Sequence, residues 1–209
     1  MQKFKRVLAF LLSLVMIVSS VNVTSVLSVN AAEDTETTEF VIENVAVNNS
    51  AATVTTNPSV SNGTRIIDGD TKYQYVTQGA RGYIDMGGFT TQDENAYNYR
   101  DGSYILLDLG DTYLIDSLAI YDFEREVGVR DYIYDVSVSE DGETWVKVAE
   151  KPAGTGLYVM NFELPVQKYV ARYVKMDNLK CKGANGFVMT ELEVYGMPIT
   201  DLDAVKSYA

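Results

Sequence analysis

The sequence predicts an all-β domain of antiparallel strands, and three observations carry that prediction. From Tyr134 to Ser139, large or branched side chains alternate with small polar ones, the period-two pattern of a half-buried strand. Glu140-Asp141-Gly142-Glu143 then supplies turn chemistry, with Gly142 free to take a positive φ. Trp145, Val146 and Val148 begin a strand that folds back on the first, and no long helical period or internal repeat competes with this pattern. The hairpin Tyr132 to Val148 is therefore expected inside a sheet, with Trp145 packed in the core.

The chain begins with a basic cluster, Lys3, Lys5 and Arg6, followed by an apolar run from Val7 to about Val18. A Ser/Thr/Asn-rich stretch then closes on Val29-Asn30-Ala31, small residues of the kind a signal peptidase reads. The apolar part is shorter than the roughly 20 residues a membrane span needs. Residues 1–31 are thus expected to be a signal peptide, and the protein to be secreted or held at the cell surface. Residues 32–40 are acidic and Thr-rich and read as a linker.

The 209 residues carry 17 Lys+Arg, 29 Asp+Glu, no His, one Cys and one Trp, for a net charge of −12. Lys3, Lys5 and Arg6 leave with the signal peptide, so 14 basic groups then face 29 acidic ones, a net −15. So acidic a surface repels phosphates, which argues against nucleic acid and anionic membrane as partners. Without histidine there is no Ser-His-Asp triad, no Cys-His pair and no His-ligated zinc. Catalysis would have to come from carboxylate pairs or a depressed-pKa lysine, so the domain is expected not to be an enzyme. Cys181 has no partner for an internal disulfide, and the fold must stand on its core.

The wording of the hairpin, Ser139-Glu140-Asp141-Gly142-Glu143-Thr144-Trp145, resembles the S-x-D-G-x-x-W hairpin of the discoidin family. Its members are also called coagulation factor 5/8 type C domains, and they are similar to the family 32 carbohydrate-binding modules. The rest of the chain can be read in order against that pattern. Asn44 to Thr56 is similar to the opening edge strand and Ser/Thr-rich loop. Ile66-Ile67-Asp68-Gly69-Asp70 resembles A-x-D-G-D/N, with Tyr73 and Tyr75 where the family has Thr and Trp. Tyr104 to Gly110 resembles aromatic-I-x-V-D-L-G, and Thr112 to Phe123 is the next alternating strand, followed by a charged loop, Glu124 to Arg130. Leu157 to Leu164 is a strand, Ala171 to Met176 resembles A-R-Y-V/I-R/K-I, and Val188 to Gly196 resembles the closing E-I/L-E-V-Y-G. The resemblance implies an antiparallel β-sandwich, the galactose-binding-like jelly roll, over residues 41–197. Pro198 is expected to break the last strand, leaving 198–209 as a linker or the start of a further domain.

Between Tyr75 and Tyr104 runs a long polar segment, 76–103, with five glycines and the aromatics Tyr83, Phe89, Tyr97 and Tyr99. A connection of that length without its own structure is more often functional than idle. In the resembling family, ligand sites lie on loops at one end of the sandwich, where aromatics stack on sugar rings and polar groups grip hydroxyls. The resemblance points to Tyr83, Phe89, Tyr97, Glu124, Arg125, Arg130, Asn185 and Phe187 as ligand-binding candidates. It also implies a structural Ca²⁺ held by Asp68, Asp70, a carbonyl at Tyr73, and Glu191, since hard cations take six to eight oxygens.

These expectations converge on a non-catalytic carbohydrate-binding module that keeps an associated enzyme or adhesin near a glycan or polysaccharide. The alternative is a cell-surface adhesion or protein-interaction domain whose Tyr-rich loop recognises a protein. Membrane insertion through Phe89 and Phe187 ranks third, opposed by the charge. The domain is expected to be monomeric.

Overall fold

The computed structural model describes residues 26–27, 40–71, 83–122, 130–155, 159–165 and 169–199. Thirteen strands form in chain order within these segments. A two-residue ladder joins β1 (Val26–Leu27) to β2 (Phe40–Val41), apart from the main sheet. The main sheet begins with β3 (Glu43–Asn44) and β4 (Thr53–Asn57), and a 3-10 turn Gly63–Ile67 buries Ile66 and Ile67. Next come β5 (Ile84–Gly87), β6 (Thr91–Gln92), β7 (Asn98–Tyr99) and β8 (Tyr104–Asp122). The chain closes with β9 (Asp131–Ser139), β10 (Val146–Lys151), β11 (Val159–Glu163), β12 (Tyr169–Lys182) and β13 (Gly186–Pro198). All pairings are antiparallel.

The sheet folds over on itself into a sandwich because β8 belongs to both layers. Its first half pairs with β4 and β12, continuing a layer of order β10-β9-β12-β8. Its second half pairs with β11 and β13, and β13 carries β5 and β3. The two stretches expected as separate strands, up to Gly110 and from Thr112, are therefore one bent element. Gly110 sits at the bend with φ +80, and a Cβ there would come within 2.5 Å of Ala51 Cβ, so only glycine fits. The core lies between the layers. Ile105, Leu107 and Leu109 from one half of β8 join Ile115, Leu118 and Ile120 from the other, with Val136, Val174, Leu192 and Val194.

The β9–β10 hairpin forms as expected, with Gly142 at φ 76 in its turn, and β9 lies between β10 and β12. Trp145 is the exception: it is half-buried and outside the core. Val174 points inward from β12, so its neighbours Tyr173 and Lys175 point outward, and Trp145 packs on that outer face. Its ring meets Tyr173 edge-on at 6.5 Å, Lys175 Nζ stands 4.5 Å from its centroid, and its Nε1–H donates to Gly142 O at 3.2 Å. Ser137 and Ser139 lie opposite Lys175 and Tyr173 in the β9–β12 ladder and are buried beneath this cover. A strand expected to be half-buried is thus covered on both faces at its end.

Pro198 is the last residue of β13, paired with Tyr113. Cys181 is buried and outside any disulfide, its thiol reaching Lys182 O at 3.6 Å. Among the described residues no helix is long and apolar enough to cross a membrane.

Candidate functional site

The described part of the long polar segment has structure of its own. After β5, the short strands β6 and β7 form a small hairpin that docks on the end of β12 through Tyr99↔Lys180 and Asn98↔Cys181. The turn between them is built by Asp93. Its carboxylate accepts the N–H groups of Asn95 (3.0 Å) and Tyr97 (2.9 Å), and its other oxygen pairs with Lys180 Nζ at 2.9 Å. Lys180 holds the Asp93 carboxyl below the usual carboxylate range.

Tyr97 turns inward from this hairpin and is only 5% exposed. Its hydroxyl donates to Asp131 Oδ2 at 2.5 Å, and the same oxygen accepts the Gly154 N–H at 2.5 Å. One carboxylate therefore ties the 93–97 turn, the start of β9 and the turn after β10 together. Burial and the neighbouring Asp131 push the Tyr97 phenol up to about 12, so it remains a neutral donor.

Above this floor the surface is rich in amides and cations. Asn98 Nδ2–H donates to Ala184 O (2.6 Å) and Asn185 Oδ1 (3.3 Å), and Gln92 Nε2–H reaches Asn98 Oδ1 at 3.4 Å. The Phe89 N–H donates to Asn185 O at 3.1 Å, which fixes the β12–β13 turn against the segment. Lys180 Nζ lies 5.7 Å from the Tyr99 ring centroid and Lys182 Nζ lies 5.2 Å from that of Tyr97. Both Asn98 amide hydrogens are spent inside this network, which holds the exposed Asn185 amide in place, and the exposed Lys182 ammonium adds a cation, groups suited to a hydroxyl-rich ligand.

The sequence-predicted ligand residues divide accordingly. Asn185 is exposed at the centre of this end, and Arg130, half-buried, adjoins Asp131 with a long Nη1 contact to Tyr132 OH at 3.5 Å. Phe89 and Phe187 are fully buried, which corrects the expectation that they present rings to a sugar or a membrane. Phe187 packs edge-on against Tyr132 (5.1 Å) and Tyr134 (6.0 Å), bridging the layers, and hydrophobic burial of about 1.5–3 kcal/mol favours that position over the rim. Tyr97 is likewise a strut beneath the surface and not a platform on it. Tyr83 precedes β5, whose Ile84 pairs with Met189 while its Gly87 pairs with Gly186, so it lies at the far end of that strand from Asn185. Glu124 and Arg125 fall outside the described residues. Sequence reasoning passed over Asn98, Tyr99 and Lys182 as site residues. The docking of the β6–β7 hairpin is what brings them together, and four residues of strand leave little periodicity to read.

A second constellation lies where the 3-10 turn meets β13. Glu191 is fully buried, opposite Tyr121 of β8. Its Oε1 accepts the Gly69 N–H at 3.0 Å, while Oε2 is buried with no hydrogen-bond partner among the described residues. Burial pushes its carboxyl up to about 8, and Asp68, Glu193 and Asp70 add repulsion. Asp68 keeps one oxygen on the Asp70 N–H at 3.0 Å and the other 3.9 Å from Arg65. Among the described residues no three His, Cys, Asp or Glu side chains form a metal cluster by themselves. Any cation here would draw on backbone carbonyls as well, as oxygen-seeking divalent ions do. Tyr73 lies outside the described residues.

Comparison with known proteins agrees with this architecture. No protein of curated function matches the sequence. Among solved structures, a family 32 carbohydrate-binding module from a Clostridium perfringens family 89 glycoside hydrolase is similar at TM-score 0.50 and 16% identity, covering 74% of this chain and 99% of that one. Another module of the same enzyme, solved with GalNAc-β-1,3-galactose, gives 0.46 and 19%, covering 69% and 94%. The Clostridium perfringens family 89 glycoside hydrolase itself gives 0.48 and 20%, and the match covers 72% of this chain but only 14% of that much longer protein. The F5/8 type C domain model matches residues 50–192, most of the chain and nearly all of the sandwich, from β4 into β13. The chain belongs to the F5/8 type C domain family.

Proposed function

We propose that the domain is a non-catalytic carbohydrate-binding module of an exported protein, and that it holds an associated enzyme or adhesin near its glycan. The observation that supports this reading most is the end of the sandwich at Asn98 and Asn185, where the half-buried Asn98 amide and the Phe89 N–H fix the exposed Asn185 in the β12–β13 turn. Polar groups fixed in advance lose little freedom on binding, which suits recognition of a hydroxyl-rich surface. The site is shallow, and an aromatic contact adds only about 0.5–1.5 kcal/mol beyond its buried area. Affinity should therefore fall between about millimolar and micromolar.

The Asp68–Glu191 constellation is a candidate site for a structural Ca²⁺. Among the described residues Glu191 Oε2 is buried without a hydrogen-bond partner and is repelled by Asp68 and Asp70, an environment that suits a divalent cation. Glu191 and Asp68 would hold the ion together with neighbouring carbonyls, fastening the 3-10 turn to β13.

A glycan array probed with the whole chain tests the module. Signal on one glycan class, reduced in a folded Asn185→Ala variant, supports it. A blank array across neutral and acidic glycans, with a protein partner recovered from a surface extract, replaces it with the adhesion reading.

A further inference from the structure

We infer that the glycan taken by this surface is anionic, a sugar carrying carboxylate or sulfate groups, with Lys182 and Arg100 as the residues that recognise the charge. The inference rests on the carbohydrate-binding reading and narrows its ligand class.

In a chain with 29 acidic residues against 17 basic ones, a cation is expected to be neutralised by a nearby acid. Among the described residues Arg65, Lys147, Lys151, Arg172, Lys175 and Lys180 each pair with a carboxylate. Lys182 and Arg100 have no such partner among the described residues, and both are exposed. They also stand at the same end. Arg100 Nη1 lies over Gly88, 3.3 Å from where a Cβ would be, and the next residue, Phe89, is hydrogen-bonded to Asn185. Lys182 precedes Asn185 by one turn and sits over the Tyr97 ring. Arg100 thus stands on the Gly88 side of this end and Lys182 on its Tyr97 side.

Of the acids at this end, Asp93 is held by Lys180, and Asp131, opposite Lys182 in the ladder, accepts the Tyr97 hydroxyl and the Gly154 N–H through Oδ2 while its Oδ1 is buried. Glu94 and Asp101 are exposed, and neither forms an ion pair with Arg100 or Lys182 among the described residues. The Arg100 guanidinium and the Lys182 ammonium are exposed at this end, as is the Asn185 amide. Arg is suited to bidentate grip of a carboxylate or sulfate, and Lys to a point contact with either. The rest of the surface repels polyanions, so attraction at this end is local and selects for anionic groups displayed on a chain.

Affinity electrophoresis in native gels separates the possibilities, using the whole chain with polygalacturonate (carboxylate), dextran sulfate (sulfate), neutral dextran and galactan. The expected result is retardation by at least one polyanion, weakened as ionic strength rises. Each of Lys182→Met and Arg100→Met should weaken it by up to about fivefold, and Lys182→Arg should restore most of the loss. Which polyanion retards the protein identifies the charged group. Circular dichroism and melting of these exposed-site variants should match the parent. Retardation by neutral polymers alone, or by a polyanion with no change when Lys182→Met and Arg100→Met are combined, overturns the inference and leaves the module reading intact. No retardation in any gel, together with a blank array, overturns both.

Discussion

Two carboxylates are buried on neighbouring strands, and the chain treats them differently. Asp122 ends β8 opposite Met189, and Glu191 lies two residues further along β13. Asp122 receives a cation from within the chain: Lys151, itself 2% exposed, forms a buried ion pair with it, between the rings of Tyr132 and Tyr134. Among the described residues Glu191 receives one backbone N–H, from Gly69. Both carboxyls are pushed up by burial, to about 7 for Asp122, where Lys151 pulls the other way, and to about 8 for Glu191. Burying a charge is tolerated when it is paired. Asp122 meets that condition at Oδ2 with its own lysine, whereas among the described residues no cation pairs with Glu191, which directs attention to a cation from outside.

The largest effect should come from removing the internal cation. Lys151→Met leaves the Asp122 carboxylate uncompensated in the core, at a cost of about 3–5 kcal/mol. Asp122→Leu together with Lys151→Met removes both charges and should be near neutral, or stabilising by about 1–4 kcal/mol. Urea unfolding of the single and double variants measures both. A single variant as stable as the parent would break the comparison, because the pair would then not be what keeps Asp122 in place.

The external cation is the next test. If Ca²⁺ binds Asp68 and Glu191 only in the folded state, a hundredfold excess over its Kd stabilises the domain by about 2.7 kcal/mol. Thermal melts with calcium and with chelator should separate, and Glu191→Gln should bring the two curves together. Melts that coincide for the parent, with no metal found by elemental analysis, would leave Glu191 as a neutral buried acid.

How far the sequence could be read follows the same physics. Alternation, Gly142, and the ordered motifs from Asp68 to Gly196 were legible because strand period and turn chemistry are local properties. Glu191 and Asp68 were legible as a pair only through the resemblance, since their meeting is a tertiary event. Phe89, Phe187 and Trp145 depart from the sequence expectation for one reason: an aromatic ring carries no mark of which sheet face it will occupy. A one-residue step decides that, and for Phe187 the deciding contacts are Tyr132 and Tyr134 from the other layer. Lys182 and Arg100 become visible only after every other described cation that pairs with an acid has been placed.

A third carboxylate, needing no cation at all, supplies the smallest and sharpest test. Asp141 in the β9–β10 turn is exposed, and its Oδ1 accepts the N–H groups of Thr144 (2.7 Å) and Glu143 (2.8 Å) and the Ser139 hydroxyl (3.0 Å). Those bonds, the Thr144 and Glu143 amides first, lower its carboxyl from 3.8 to about 2. A depressed folded pKa means that the turn's stabilisation is present above 3.8 and is lost as pH falls through about 2. Hydrogen exchange at the Glu143 and Thr144 amides should therefore speed up, beyond its intrinsic pH dependence, as pH drops across that window. Asp141→Asn should flatten this response while leaving the Asp122–Lys151 pair untouched. If the side chain of Asp141 titrates in NMR at or above 3.8, the hydrogen bonds of this turn do not favour its charged form. The contrast with the two buried acids would then rest on burial alone.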